Sequence, residues 1–336
     1  IIGFVLIFIL LLWVMNNNRP TQEELAKRKA EQEQAAAAKN PQNNTATAAT
    51  ADLGAFAYGN AQATAKDGVT VIENKDVKLT INNKGGDLKE VLLKQFKTYE
   101  SMPVYLIKDK NAIFALNFKT TQGQELNTQQ LYFEPSLSQK DGKQLLSMKV
   151  KTGENSYLEY VYTLPAEGYM VDVAVRSQGL SGVLNSQNPI ELVWGLKARR
   201  MEKSVTYENR YTQSAIRYAD DKINRMSQGG NSGTKEEQVS WVAYKQHLFT
   251  SVLISDSAFA NGDFLSYNIA NEESKDVKYT KNLKSTFPLK TKGGELSESL
   301  HFYFGPSDYN VLKQYNDKYE LTELIPLGWG IFGWLN

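Results

Sequence analysis

The sequence predicts a mainly β fold, a large antiparallel sandwich with a C-terminal helix, and three observations carry that expectation. From Gly68 onward, β-branched and aromatic residues recur in short runs separated by Gly, Asn and Asp. Several runs alternate in polarity, as in Tyr157-Leu158-Glu159-Tyr160-Val161-Tyr162, so that one face can be buried while the other meets water. The runs continue to Pro306, which is more strand than one small sandwich needs. With 336 residues, 41% of them hydrophobic and 11% aromatic, the chain can bury a full core.

Ile1 to Met15 reads IIGFVLIFILLLWVM, without a charge, and predicts one transmembrane signal anchor over residues 1–18 ahead of the β domain. The run is shorter than the roughly 20 residues a span wants, and no starting methionine precedes it, so the anchor is expected to be truncated at its N-terminus. Asn16-Asn17-Asn18-Arg19-Pro20 offers no small-x-small cleavage site, which favours a retained anchor over a removed signal peptide. The positive charges after the anchor, Arg19, Lys27, Arg28 and Lys29, would place that side in the cytoplasm by charge alone. Long domains, however, translocate largely regardless of charge.

Residues 19–66 read as a polar helix followed by a flexible linker. Thr21 to Lys39 is built of strong helix formers, with Glu23 and Glu24 four residues before Lys27 and Arg28 and no apolar stripe. Asn40 to Lys66 is rich in Ala, Thr, Asn and Gln and offers little to a core.

The β domain is expected over 67–306. Its representative strands are Val69 to Glu73, Val77 to Asn82, Ile113 to Thr120, Gln144 to Lys151, Tyr157 to Leu164, Met170 to Ser177, Ile190 to Ala198, Ser240 to Ile254 and Ser299 to Gly305. Asn82-Asn83-Lys84-Gly85-Gly86-Asp87 and Asp141-Gly142 are turns in which glycine supplies positive φ. Met226 to Glu237, MSQGGNSGTKEE, reads as a mobile loop. Over 307–325, Tyr309, Leu312, Tyr315 and Tyr319 recur at helical spacing behind Ser307 or Asp308 as cap, predicting a helix of about four turns packed on the domain. Pro326 stops it. Residues 326–336, PLGWGIFGWLN, form an uncharged segment whose Trp329, Ile331, Phe332, Trp334 and Leu335 suit the membrane interface.

Charge is balanced, 38 Lys+Arg against 37 Asp+Glu, which argues against a nucleic-acid partner. The absence of cysteine removes disulfides, thiolate metal sites and a cysteine nucleophile. No G-x-S-x-G, Walker-type or dinucleotide-binding glycine motif is present, and the two histidines, His247 and His301, stand alone inside predicted strands, where a structural role is expected. No catalytic residue, metal ligand or cofactor is therefore expected. Lys197, Arg199, Arg200, Lys203 and Arg210 form a basic cluster able to touch phosphate or lipid headgroups, but Glu202 and Glu208 dilute it, and a solvated strand edge or loop is the expected role.

Four stretches together resemble the YidC/Oxa family of membrane protein insertases, in its bacterial branch: IIGFVLIFILLLWVMNNNRPTQEE, LTINNKGGDLKEVLL (Leu79 to Leu93), WVAYKQHLFTSVLI (Trp241 to Ile254), and FYFGPSDYNVLKQY (Phe302 to Tyr315) with the closing PLGWGIFGWLN. The resemblance spans nearly the whole chain in order. It implies an inner-membrane protein with a periplasmic β-supersandwich of the galactose mutarotase type, and a helix on its membrane side. The implied function is insertion and folding of inner-membrane proteins, alone or with the Sec translocon, without a cofactor. Membrane lipids, nascent inner-membrane proteins and Sec components are the implied partners. The family's hydrophilic groove, with its membrane-embedded arginine, is expected after Asn336, so this chain is read as the accessory part. The alternative is a carbohydrate-binding or mutarotase-like periplasmic module, which would need His247 and His301 to meet a carboxylate across a cleft.

Overall fold

A computed structural model describes residues 52–62, 64–226, 230–270 and 277–325. The expected anchor, the polar helix, the first part of the linker through residue 51 and the interfacial segment 326–336, with Trp329, Ile331, Phe332, Trp334 and Leu335, lie outside the described residues. Among those residues, no helix is long and apolar enough to cross a membrane.

The fold is mainly β. A four-stranded antiparallel sheet runs in the order β1 (Val69–Glu73), β2 (Val77–Asn82), β3 (Leu88–Lys97) and β4 (Pro103–Ile107). The chain then builds β5 (Ala112–Lys119), β6 (Glu125–Asn127), β7 (Glu134–Lys140), β8 (Lys143–Lys151), β9 (Tyr157–Leu164), β10 (Met170–Gln178) and β11 (Ile190–Arg199). It closes with β12 (Gln213–Tyr218), β13 (Ile223–Arg225), β14 (Ser232–Lys245), β15 (Phe249–Asn268), β16 (Tyr279–Leu289) and β17 (Ser297–Pro306). These make a 13-stranded sheet with the path β6-β5-β11-β16-β15-β17-β10-β9-β8-β7 and a side branch in which β12 joins β13 to β14.

Period-two patterning places one face of β8 and one face of β10 in the core. In β8, Leu146, Met148 and Val150 are buried while Ser147 and Lys149 face the other way. Central β11 buries all of Leu192 to Leu196, and its Gly195 is required by packing, since a Cβ there would sit 2.9 Å from Ile113. Strand β15 pairs with β14 along most of its length and exchanges its other partner, from β17 over Phe249–Ser255 to β16 over Asp263–Asn268. A register shift between Val239 and Trp241 and a positive φ at Ala258 accompany that exchange.

The two sheets are joined at the turn Lys84-Gly85-Gly86-Asp87. Gly85 and Gly86 hold φ of 95° and 67°, and a Cβ on Gly86 would lie 3.1 Å from both Phe133 and Tyr160. The Tyr162 hydroxyl donates to the Gly86 carbonyl at 2.8 Å, and Phe133 stacks on Tyr160 at 5.1 Å between centroids. Asp87, beside them, accepts from Asn82 at 2.9 Å and Gln129 at 3.3 Å, and burial raises its carboxyl above the ordinary value.

Four expectations change. Ser240 to Ile254 is two strands: Gln246, His247 and Leu248 form a hairpin turn, closed by Gln246 N–H donating to the Phe249 carbonyl at 2.8 Å, so His247 is a turn residue. The second half of MSQGGNSGTKEE is strand, because Ser232 to Glu237 pair with Asn261 to Ser266, where Gly233 lets Leu265 approach. The linker ends early: Gly54 to Asn60 form helical turns, and Phe56 is fully buried against Phe118 at 5.2 Å. The continuous C-terminal helix is a chain of short helical turns, broken at Glu320, whose φ is 52°.

Candidate functional site

The candidate site is the place where the segment after β17 is fastened to the large sheet. Asp308 caps helix α1 (Tyr309–Leu312) by accepting from the Val311 N–H at 3.1 Å. Helix α2 (Asn316–Tyr319) follows, then a 3-10 turn over Leu321–Leu324. Leu312, Leu321 and Leu324 supply the apolar face and are fully buried. At the break, the Asn316 side-chain oxygen accepts from both the N–H and the hydroxyl of Thr322, at 3.2 and 2.6 Å, which offsets the left-handed backbone of Glu320.

Polar groups of the sheet then take hold of the segment at four points. Arg217 on β12, with 9% of its side chain exposed, bonds Glu320, Glu323 at 3.3 Å and Asp221 at 2.7 Å, while Arg225 donates to the Glu323 carbonyl at 2.6 Å. The Trp241 indole N–H donates to the Tyr319 carbonyl at 2.9 Å. The Tyr315 hydroxyl accepts from the Tyr169 N–H at 2.9 Å, and its ring meets Tyr303 edge-on at 5.4 Å. His301, on β17, has Nδ1 2.8 Å from Asp172 and Nε2 3.0 Å from Asp256, and Lys318 completes the group at 3.3 Å from Asp256. Burial works against the Asp256 charge, but hydrogen bonds from His301 and Lys318 outweigh it and hold the carboxyl below its ordinary value. Asp172 faces His301 across β10 and β17 as its register partner.

This arrangement fixes the segment through Ile325 to the sheet by directed, charge-assisted bonds and leaves both His301 nitrogens occupied. The second histidine is elsewhere: His247 Nδ1 lies 2.7 Å from Glu202, and its ring packs against those of Tyr207 and Tyr211. With His301 opposite Ile254 and His247 in the turn before Phe249, about 16 Å of strand separates them, so the two do not converge on one cleft. Glu208, next to that group, accepts from the Met201 and Glu202 N–H groups, and burial pushes it up to about 7. Among the described residues, no group of three or more His, Asp or Glu side chains could hold a metal ion.

Of the basic cluster, Arg199 pairs with Asp109 at 2.9 Å and Arg200 donates to the carbonyls of Glu202 and Lys203 at 2.9 and 2.6 Å. Sequence reasoning passed over Arg217, Trp241, Asp172 and Asp256. One signal was available for Arg217, a charge flanked by Ala215-Ile216 and Tyr218-Ala219, where burial is disfavoured unless the charge is paired.

Comparison with known proteins bears on the chain as a whole. The family model described as the YidC periplasmic domain matches residues 69–336. The membrane protein insertase YidC of Parabacteroides distasonis is 33% identical over 288 residues, covering 83% of this chain and 44% of the relative. That of Porphyromonas gingivalis is 33% identical over 276 residues, covering 79% of this chain and 43% of the relative. The chain thus spans less than half the length of the curated relatives it matches. Among solved structures, a galactose mutarotase-like protein from Lactobacillus casei superposes over 71% of this chain and all of its own, at 13% identity and a TM-score of 0.42, too loose a match to carry an argument.

Proposed function

The chain belongs to the YidC family and carries its periplasmic domain, and from that premise we propose that it is the anchoring and periplasmic part of an insertase that inserts and folds inner-membrane proteins, alone or with the Sec translocon. In this reading residues 1–18 hold the chain in the inner membrane, the β domain is of the supersandwich type, and Trp329, Ile331, Phe332, Trp334 and Leu335 lie at the bilayer interface. Membrane lipids, nascent inner-membrane proteins and Sec components are its partners.

The observation that carries the reading is the clamp on residues 307–325. An insertase spares a client's polar segments the cost of crossing hydrocarbon by offering a hydrated path. A periplasmic domain contributes to that only if it is held at a fixed position against the bilayer. A segment locked by Arg217, Trp241 and the His301 group gives whatever follows Ile325 a fixed point of departure. The tests are two. Serine at Trp329, Phe332 and Trp334 together lowers partitioning of the chain onto liposomes severalfold; unchanged partitioning removes the interfacial role. The complete gene that encodes this chain restores insertion in cells depleted of their own insertase, scored by protease access to a reporter's translocated loop; no rescue removes the insertase reading.

A further inference from the structure

Exposed apolar side chains gather at one end of the sandwich. Met102 is 59% exposed and Leu248 51%, with Tyr99 and Tyr207 similarly bare. Their contacts make them one surface. The Tyr99 N–H donates to the Met201 carbonyl at 3.2 Å, and the Arg200 guanidinium lies over the Tyr99 ring at 5.1 Å. Glu202 reaches His247, whose ring meets Tyr207 at 5.1 Å, and the neighbouring Leu248 carbonyl accepts from Ser307 at 2.8 Å. The loops after β3 and β11 and the β14–β15 turn thus share one end with the point where β17 gives way to the clamped segment.

Cations crowd the same end. An open cleft of about 610 Å³ is lined by Tyr99, Met102, Tyr105, Lys108, Arg200 and Lys278, among others, and the Lys108 ammonium sits 3.9 Å above the Tyr105 ring. Among the described residues of this end, Lys108, Arg199, Arg200, Lys203 and Lys278 outnumber Glu100, Asp109, Glu202 and the buried Glu208, and Asp109 is already shared by Arg199 and Lys278 at 2.9 and 3.0 Å. The whole chain carries a net charge of only +1, so this excess is local. An end that bares methionine, leucine and tyrosine side chains with lysine and arginine stems among them has the composition of a surface seated at headgroup depth, and anionic headgroups complement its charge.

We propose that this end is a second membrane contact, docking on anionic phospholipid headgroups through Tyr99, Met102, Tyr207 and Leu248, with Lys108, Arg200, Lys203 and Lys278 facing the phosphates. It rests on the reading that the domain is tethered beside a bilayer, which keeps lipid at high effective concentration. Because the chain has no cysteine, single labelling sites report cleanly. The full chain is reconstituted in nanodiscs of phosphatidylcholine alone or with phosphatidylglycerol, with an environment-sensitive fluorophore at Met102→Cys, at Asn336→Cys, or at Leu137→Cys on the distant β7–β8 hairpin, where the wild-type side chain is 53% exposed.

Spin-labelled lipid is expected to quench the Met102 probe severalfold more with phosphatidylglycerol than without it, leaving the Leu137 probe unquenched in both. Lys108→Glu with Lys278→Glu abolishes the difference while far-UV circular dichroism stays unchanged. A quenched Asn336 probe beside an unquenched Met102 probe overturns this proposal and leaves the tethering reading standing; silence at both overturns both. Equal quenching in the two lipids overturns the anionic assignment. A spectral shift at Met102 on adding polyglutamate, without lipid quenching, gives the surface to an acidic polypeptide instead and overturns the proposal.

Discussion

Two places in this molecule hold a chain segment against the large sheet, and they do it by opposite means. The Gly85-Gly86 turn is pressed under aromatic rings: Phe133, Tyr160 and Tyr162 close over it, and the single buried acid there, Asp87, is pushed toward its neutral form. The segment over 307–325 is held at its outer side by ions: Arg217 on two of its glutamates, Lys318 on Asp256, and Asp256 kept charged by His301. Packing of the first kind is lost only when the domain unfolds. Charge-assisted bonds to partly exposed carboxylates can be weakened one at a time, so the exit segment is expected to loosen at its polar contacts before the sheet does.

The largest effect that separates the two belongs to the turn. Gly86→Val puts a branched side chain at a φ of 67° and against two rings already in contact distance, so it should cost about 4 kcal/mol and lower the denaturation midpoint of the whole domain. A local effect confined to the turn would show that the nest is not tied to the global core. Arg217→Met keeps the apolar stem but frees Glu320 and Glu323, both of which are partly exposed and regain water. About 1–2 kcal/mol should be lost, and lost locally. Hydrogen exchange should rise over 309–325 with little change in β8 or β9; a uniform rise across the domain would mean that the clamp and the sheet are one cooperative unit.

How much of this was legible beforehand follows from where each signal is stored. Strand β9 appears with the bounds read from the sequence, Tyr157–Leu164, because alternation is a property of neighbouring residues. The Gly-Gly turn was equally local. The break between β14 and β15 was not, since Gln246-His247-Leu248 contains none of the Gly, Pro, Asn or Asp residues that mark turns, and the surrounding β propensity ran straight through it. The helical spacing of Tyr309, Leu312, Tyr315 and Tyr319 was seen, but not the break at Glu320. Its compensation comes from the Asn316 side chain and from Arg217, about a hundred residues away. The clamp itself is a product of register: His301 meets Asp172 only because β17 lies antiparallel to β10, and Asp256 only because β15 flanks β17 on the other side. No pattern along the chain contains that information. Phe56 was missed for a related reason, an aromatic in an alanine-rich stretch that finds its partner, Phe118, across the fold.

The smallest effect is the most discriminating, because the two places should respond to acid with opposite sign. Asp87 has a carboxyl raised by burial, so the folded state favours its protonated form. Its contribution is fully present below the ordinary value of 3.8 and is lost as pH rises through the raised folded value. Asp256 has a carboxyl held low by His301 and Lys318. Its contribution is fully present above 3.8 and is lost as pH falls through the depressed folded value. The groups facing His301 are Asp172 on β10, Asp256 on β15, and Lys318 and Tyr319 of the exit segment; once Asp256 is neutralised, Lys318 loses its counter-charge. Acidification from pH 6 to pH 3 should therefore loosen 309–325 while the amides of the Gly-Gly turn hold or gain protection, measured as exchange corrected for its intrinsic pH dependence. Asp256→Asn should loosen the segment already at pH 6 and flatten its acid response, and Asp87→Asn should flatten the response of the turn alone. If both places lose protection together in the unmodified protein, acid acts on the domain as a whole, and the exit segment has no independent release.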